Sequence, residues 1–173
     1  MPYTDLLRIT VFLTAAEATA LGAITAIAAG RDDDTLTVMV AGAWWLVALV
    51  LGLYLGRPAG AADGVRDALA RARTATALPE DSPGKVAAGR LWPIGVTALI
   101  AGVLGVLYPG VAAIGAGYAL LVALTMRTRE AAVLGIEQRD GVKFYVVPTS
   151  ALRPIELVRT PGLRSDRLRA SGP

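Results

Sequence analysis

The chain has 173 residues, of which 54% are hydrophobic and 18% charged, and its mean hydropathy is +0.54. This composition excludes an ordinary soluble domain, and the length excludes two sizeable domains. The net charge is +3, nearly all basic residues are arginine, and neither cysteine nor histidine is present. Disulfides, thiolate metal sites, imidazole ligands and histidine acid–base chemistry are therefore excluded.

Four apolar stretches predict four membrane-spanning helices, because crossing ~30 Å of hydrocarbon takes roughly 20 apolar residues. They cover about residues 9–29, 35–55, 91–108 and 111–126. Only Pro109-Gly110 separates the last two, which predicts a tight helical hairpin. The first stretch is too long for a signal peptide and lacks a small-residue cleavage site, so we expect it to persist as a helix. The predicted fold class is an all-α integral membrane protein, a four-transmembrane-helix bundle with a small cytoplasmic β-hairpin as its C-terminal extension.

Basic residues are distributed unequally between the connections. The first connection, 30–34, has one Arg against three Asp, and the turn between the third and fourth helices is uncharged. Most Lys and Arg residues lie in the loop 57–90 and in the tail 127–173. The positive-inside rule therefore predicts that the N-terminus (1–8), the loop 57–90 and the tail are cytoplasmic. The bias toward Arg, Ala, Gly and Val is typical of a GC-rich bacterial genome. The expected location is the inner (plasma) membrane.

The acidic connection has two interpretations. Asp34 directly precedes the second helix, where its side chain can accept hydrogen bonds from the first free backbone amides. The helix dipole also favours a negative charge at this end of a helix. Asp32, Asp33 and Asp34 could together hold a cation instead. We favour the helix cap, because a run of Asp residues in a short turn is typical of a solvated connection.

Small residues recur at helical spacing in three of the predicted helices. Such stripes let helix backbones approach closely, which membrane helices need because lipid tails supply no hydrophobic drive between them. We expect the stripes to pack the bundle, and the alternative is that one of them docks onto another membrane protein. They consist of Ala18, Gly22 and Ala26 in helix 1, Ala98, Gly102 and Gly105 in helix 3, and Gly115, Ala119 and Ala123 in helix 4.

Glu17 is the one charged residue within the four apolar stretches. A carboxyl near the middle of a bilayer is costly and usually faces the bundle interior or a wet cavity. The candidate neighbours are hydroxyl and indole groups: Thr10, Thr14, Trp44, Trp45 and Tyr118. Three hypotheses follow: a hydrogen bond across the bundle, a bond to a polar residue of another membrane protein, or alternate binding of a proton and a transported substrate.

The runs Ala15-Ala16-Glu17-Ala18 and Trp44-Trp45 resemble small multidrug resistance transporters. Those proteins have four helices, a carboxylate in the first helix and aromatic residues around it. The resemblance implies a small proton-coupled transporter or channel that uses Glu17. It covers these positions alone, and the loop 57–90 and the tail 127–173 depart from the family, which has a short turn and no such tail.

The loop 57–90 and its junction with the third helix are predicted to contact lipid headgroups. A short helix is predicted from Gly64 to Ala77, and an arginine-bearing helix tethered to a membrane is suited to anionic headgroups. A solvated helix without a lipid role is an equal alternative. Trp92, followed by Pro93 in a first-turn position, is predicted to open the third helix at the same surface. The predicted headgroup contacts are Arg66, Arg71, Arg73 and Trp92.

The tail is predicted to contain a β-hairpin at about 133–147. Asp140-Gly141 is a strong two-residue turn signal, and apolar residues alternate with polar or small residues on both sides of it. A lone hairpin is marginal in water, so either Pro154–Val158 adds a third strand or the hairpin rests on a partner. The residues after Pro161 are basic and expected to be mobile.

No catalytic constellation is recognisable. The apolar stretches have no paired carboxylates, and the chain has no Gly-rich phosphate loop and no zinc-ligand spacing, so we predict no enzyme activity, no cofactor and no metal. The predicted function is a non-catalytic accessory or assembly subunit of a larger bacterial envelope complex, with a lipid or cell-envelope transport machine as one host. The predicted partners are the lipid bilayer and a larger membrane protein complex or a second copy of the chain, without nucleic acid. The alternative is proton-coupled transport through Glu17.

Overall fold

A computed structural model describes residues 1–31, 33–57, 69–70, 72–74, 82–149, 151, 153 and 155–161. Within them, four helices are long and apolar enough to cross a membrane, which confirms the predicted multi-pass membrane protein and its four-helix bundle. The helices are α1 (Tyr3–Arg31), α2 (Thr35–Leu55), α3 (Pro83–Leu107) and α4 (Pro109–Asp140), and the strands are β1 (Arg73–Thr74), β2 (Val142–Val146) and β3 (Leu157–Pro161). The strands lie at one end of the bundle, called the sheet end; the α1–α2 and α3–α4 connections lie at the other, called the turn end.

Three helices are longer than the apolar stretches that predicted them. The 29 residues of α1 and the 32 of α4 extend about 44 and 48 Å, which exceeds a hydrocarbon layer of ~30 Å. Hydropathy marks the part of a helix that lies in lipid, whereas the polar ends stay helical because they pack against the sheet. α3 begins at Pro83, so Pro93 lies inside the helix and not in its first turn, contrary to the prediction. Only α2 has the predicted bounds.

The predicted hairpin at 133–147 is wrong in its first half. Residues 133–140 continue α4, and Gly141 ends the helix in the left-handed region (φ 63°), with its N–H donating to the Glu137 carbonyl. Asp-Gly suits this helix end as well as a hairpin turn, because glycine adopts positive φ without strain. Val133 is fully buried and Ile136 packs against the same core, so the apolar spacing here is helical and not alternating.

A hairpin is nevertheless present, formed by β2 and β3. These strands pair antiparallel from Val142 opposite Pro161 to Val146 opposite Leu157, and β1 adds in parallel to β3, giving the order β1-β3-β2. The third strand was predicted at 154–158, and β3 begins later. A helix was predicted over 64–77, but Arg73–Thr74 is a strand, because the backbone of these two residues pairs with the free edge of β3. Leu69 and Ala70 are helical, and most of the remaining range lies outside the described residues.

The sheet end has its own hydrophobic core, which the hydropathy pattern did not predict. The start of α1, the start of α3 and the end of α4 contribute side chains to it together with the sheet. The chain's N-terminus joins the free edge of β2, where the Val146 N–H donates to the Met1 carbonyl at 2.9 Å and Pro2 bridges Tyr145. The buried residues are Met1, Tyr3, Leu6, Leu7, Leu69, Val86, Val133, Val142, Phe144, Val146 and Leu157.

Within the membrane-spanning part, α4 packs against all three other helices. Its small residues allow this: Gly105 of α3 lies so close to Ala112 that an added Cβ would come within 2.5 Å of the Ala112 Cβ. Ala119 and Ala123 are buried, and Gly102 faces Leu21 of α1. Most of the predicted small residues are thus buried or partly buried at helix contacts, whereas Ala26 is exposed.

Asp34 caps α2, as predicted. Its carboxylate accepts hydrogen bonds from the Thr37 backbone N–H at 3.0 Å and from the Thr37 hydroxyl. The hydrogen bond from the Thr37 side chain is the main cause that holds the pKa of Asp34 below its usual value. The cap therefore contributes fully above the ordinary carboxyl pKa and is lost as the pH falls through the lowered pKa.

Among the glycines that the structure describes, Gly117 is expected to be the least tolerant of a side chain. A Cβ there would overlap the indole of Trp44 at its Nε1, Cδ1 and Cε2 atoms. We expect Gly117→Ala to lower the free energy of unfolding by about 1–3 kcal/mol through overpacking, measured by thermal unfolding in detergent. Gly135→Ala in the same helix is the matched control, because a Cβ there meets nothing within 4 Å. Equal stability of the two variants would contradict the packing described.

Candidate functional site around Glu17

Glu17 lies near the middle of α1, between Arg8 and Arg31, which bound the apolar part of the helix. Its side chain is half-buried, on the flank of the buried stripe that contains Thr14 and Leu21. Within the described part of the chain, its carboxyl group neither donates nor accepts a hydrogen bond, and no basic side chain pairs with it. The hydrogen bond across the bundle that one hypothesis required is therefore absent from the described residues.

The two predicted hydroxyl neighbours are occupied within α1. Thr10 and Thr14 are buried, and their hydroxyls donate at 2.8 Å to the carbonyls of Leu6 and Thr10, each one helical turn earlier. A helix carbonyl can accept a second hydrogen bond, so a buried hydroxyl is satisfied without leaving its own helix. Neither threonine hydroxyl donates a hydrogen bond to the Glu17 carboxylate.

The predicted aromatic residues come together with one another and not with Glu17. The Trp45 indole N–H donates to the Ala113 carbonyl at 2.9 Å, and the Trp44 indole N–H donates to the Ile114 carbonyl at 3.3 Å. Tyr118 meets Trp44 edge to face, with ring centroids 5.4 Å apart. These contacts fasten α2 to α4. The sequence signal for this α2–α4 contact is Gly117, because a residue without a side chain leaves room for an indole directly on the α4 backbone.

Trp45 also borders a groove between α1, α2 and α4 with a volume of about 310 Å³. Its side chain lies 3.6 Å from the position of a Cβ on Gly22. The Thr19 hydroxyl in this groove donates to its own helix, at the Ala15 carbonyl. Glu17 does not line the groove, which consists of Ala15, Ala18, Thr19, Gly22, Trp45, Ala116 and Leu120.

Glu17 lies instead on the side of α1 that meets α3. It precedes Ile24 by one heptad, so the two residues share a helix face, and Ile24 packs 3.7 Å from the position of a Cβ on Gly102. Gly95 precedes Gly102 by the same spacing, and a Cβ on Gly95 would meet nothing within 4 Å. In the seam between α1 and α3, the helices thus pack closely at Ile24 and Gly102, whereas the space beside Gly95, one heptad earlier and at the depth of Glu17, is open. Sequence reasoning missed Gly95, although its heptad spacing from Gly102 was visible.

The predicted lipid contacts are only partly described by the structure. Trp92 is exposed on α3 (54%), as a headgroup contact requires. Arg73 belongs to β1, and Arg66 and Arg71 lie outside the described residues. In the described part of the chain, no group of three or more acidic, histidine or cysteine side chains is arranged to hold a metal ion.

Comparison with known proteins gives no relative: no protein-family model, no curated protein and no solved structure matches the chain. What can be inferred about its function therefore comes from its own residues and their geometry.

Trp45 is expected to stabilise the α2–α4 contact through its indole N–H. Trp45→Phe keeps an aromatic ring and removes the donor to the Ala113 carbonyl, so the free energy of unfolding in detergent should fall by about 0.5–1.5 kcal/mol. Tyr118→Phe is the matched control, because Tyr118 is exposed and its hydroxyl has no hydrogen-bond partner among the described residues. A loss of equal size in both variants would show that the indole donor is not what matters.

Proposed function

We propose that the protein is a non-catalytic integral membrane subunit that assembles with a larger bacterial envelope complex, with a lipid or cell-envelope transport machine as a suitable host. The observation that carries the proposal is the carboxyl of Glu17, which lies half-buried at mid-span without a partner in the described residues. An ionised side chain at the centre of a membrane helix costs about 2.5–3.5 kcal/mol or more. A polar group of another subunit offsets that cost.

The surroundings of the groove beside Trp45 support an assembly role over transport. Proton-coupled transport through Glu17 requires the carboxylate to face a pathway that reaches both sides of the membrane. The groove beside Trp45 is apolar and excludes Glu17, and the indoles that could contact a substrate are engaged with α4 carbonyls. The resemblance to small multidrug resistance transporters therefore has less support than a subunit role.

We also propose that the sheet end faces the cytoplasm of a bacterial cell. Arginines lie where each helix reaches that end, and none lies at the α3–α4 connection. Lys and Arg near membrane helices are retained on the cytoplasmic side, so the pattern favours this orientation. The residues concerned are Arg8 in α1, Arg57 after α2, Arg90 in α3 and Arg127 in α4.

Single-cysteine labelling tests the orientation, because the native chain has no cysteine to remove. Gly30→Cys lies at the turn end and Lys143→Cys at the sheet end, and both positions are exposed. In intact spheroplasts a membrane-impermeant maleimide should label the Gly30→Cys variant and not the Lys143→Cys variant. Both should label after lysis. The reverse pattern in spheroplasts would overturn the orientation.

Purification from native membranes tests the subunit role. The tagged chain, extracted in mild detergent, should elute with a larger protein at fixed stoichiometry, measured by light scattering and mass spectrometry of the complex. An unrelated four-helix membrane protein with the same tag is the control for non-specific recovery. A chain that elutes alone, or only with copies of itself, would contradict the proposal and make proton-coupled flux with Glu17→Gln the next measurement.

A further inference from the structure

We infer that a transmembrane helix of the partner docks on the seam between α1 and α3 and places a lysine or arginine against the Glu17 carboxylate. This inference rests on the proposed subunit role and specifies where the contact lies and what chemistry it uses. It depends on three observations: the opening of the seam at Glu17, the small residue beside that opening, and the absence of a cation from the apolar stretches.

At the depth of Glu17, the space beside α3 is open. α1 and α3 both run from the sheet end to the turn end, so moving back one heptad from Ile24 and from Gly102 moves to the same depth on each helix. At Gly102 the space is filled by Leu21 and Ile24, whereas at Gly95 it is empty. Gly95 is exposed, and a glycine on an exposed membrane-helix face permits close backbone approach by another helix.

The Glu17 carboxylate determines which kind of side chain the partner helix must place against it. It can only accept hydrogen bonds, and the backbone N–H groups of mid-helix residues are already donated within their helices, so a donor must come from a side chain. Ionisable groups inside membranes pair with one another, and a Lys or Arg at matching depth provides both charge and donors. α3 presents its exposed residue Leu99 next to this position for apolar contact.

A second copy of the chain does not meet this requirement. Glu17 is the only charged residue in the apolar stretches 9–29, 35–55, 91–108 and 111–126. A symmetric dimer through this seam would bring a second carboxylate near the first, which is unfavourable in a medium of low dielectric constant. The occupant is therefore a different protein with a basic residue near the middle of a membrane span.

Site-specific photocrosslinking in native membranes locates the contact. A photoreactive phenylalanine analogue replaces Leu99 on α3 or, as matched control, Leu46 on α2; the two leucines are exposed to similar extents, 67% and 64%. We expect the Leu99 position to crosslink to the partner, with the modified peptide in a span that contains Lys or Arg. Crosslinks to the partner from Leu46 but not from Leu99, crosslinks only to a second copy, or a modified span without a basic residue would overturn the inference and leave the subunit role intact.

Charge exchange tests the chemistry. Glu17→Lys and the milder Glu17→Gln should each lower recovery of the partner at least about tenfold, because either leaves a buried charge of the partner unpaired. Changing the crosslinked basic residue of the partner to Glu should restore recovery with Glu17→Lys and not with wild type. Gly95→Leu should also block recovery, while Gly42→Leu, at an open and exposed glycine of α2, should not. Unchanged recovery with Glu17→Gln would contradict the pairing, and a wild-type chain that purifies without a partner would contradict the proposed function itself.

Discussion

The close approach of three helices to α4 is the constraint on which the rest of the structure depends. Lipid provides no hydrophobic driving force for membrane helices to associate, so their association depends on close packing of the helix backbones. α4 supplies the surface for this with a set of small buried residues: Ala112, Ala113, Ala116, Gly117, Ala119 and Ala123. Bulky residues on the other helices fill this surface: the Leu21 side chain reaches Gly115, and the Trp44 indole covers Gly117. The polar carboxyl of Glu17 remains on the flank.

The contrast between Glu17 and the other polar groups has a single physical origin. Hydroxyl and indole groups donate hydrogen bonds, and every helix carbonyl has a spare lone pair to receive one, as Thr14 and Trp45 illustrate. A carboxylate needs donors, and a helix has no free donors between its ends. An all-helical bundle can therefore satisfy Thr and Trp from its own backbone but not an ionised Glu.

The membrane helices could be predicted from sequence because an apolar segment in lipid must satisfy its backbone hydrogen bonds internally, which an α-helix does. Helix ends could not, since residues 127–140 mix charged with apolar residues and their helix is held by packing against the sheet, a contact between distant segments. The Asp140-Gly141 pair was misread because a glycine at positive φ serves a helix end and a hairpin equally. The sequence showed that the apolar stretches contain no basic residue to pair with Glu17. It did not show which helix Glu17 faces, because that depends on the rotation of α1, which is fixed by the packing of Leu21 and Ile24 against Gly102.

The sheet joins three parts of the chain that are separated by membrane spans. Pro2 precedes α1, β1 lies between α2 and α3, and β2 follows α4. A single missed crossing would leave at least one of these segments on the opposite side of the bilayer from the others. At roughly 5–20 residues per second, the ribosome makes Tyr145 about 7–30 s after Pro2, so the sheet can close only after all four helices have been synthesised. Closure of the sheet, with its Met1–Val146 hydrogen bond, therefore requires segments from before, between and after the spans to lie on one side of the membrane.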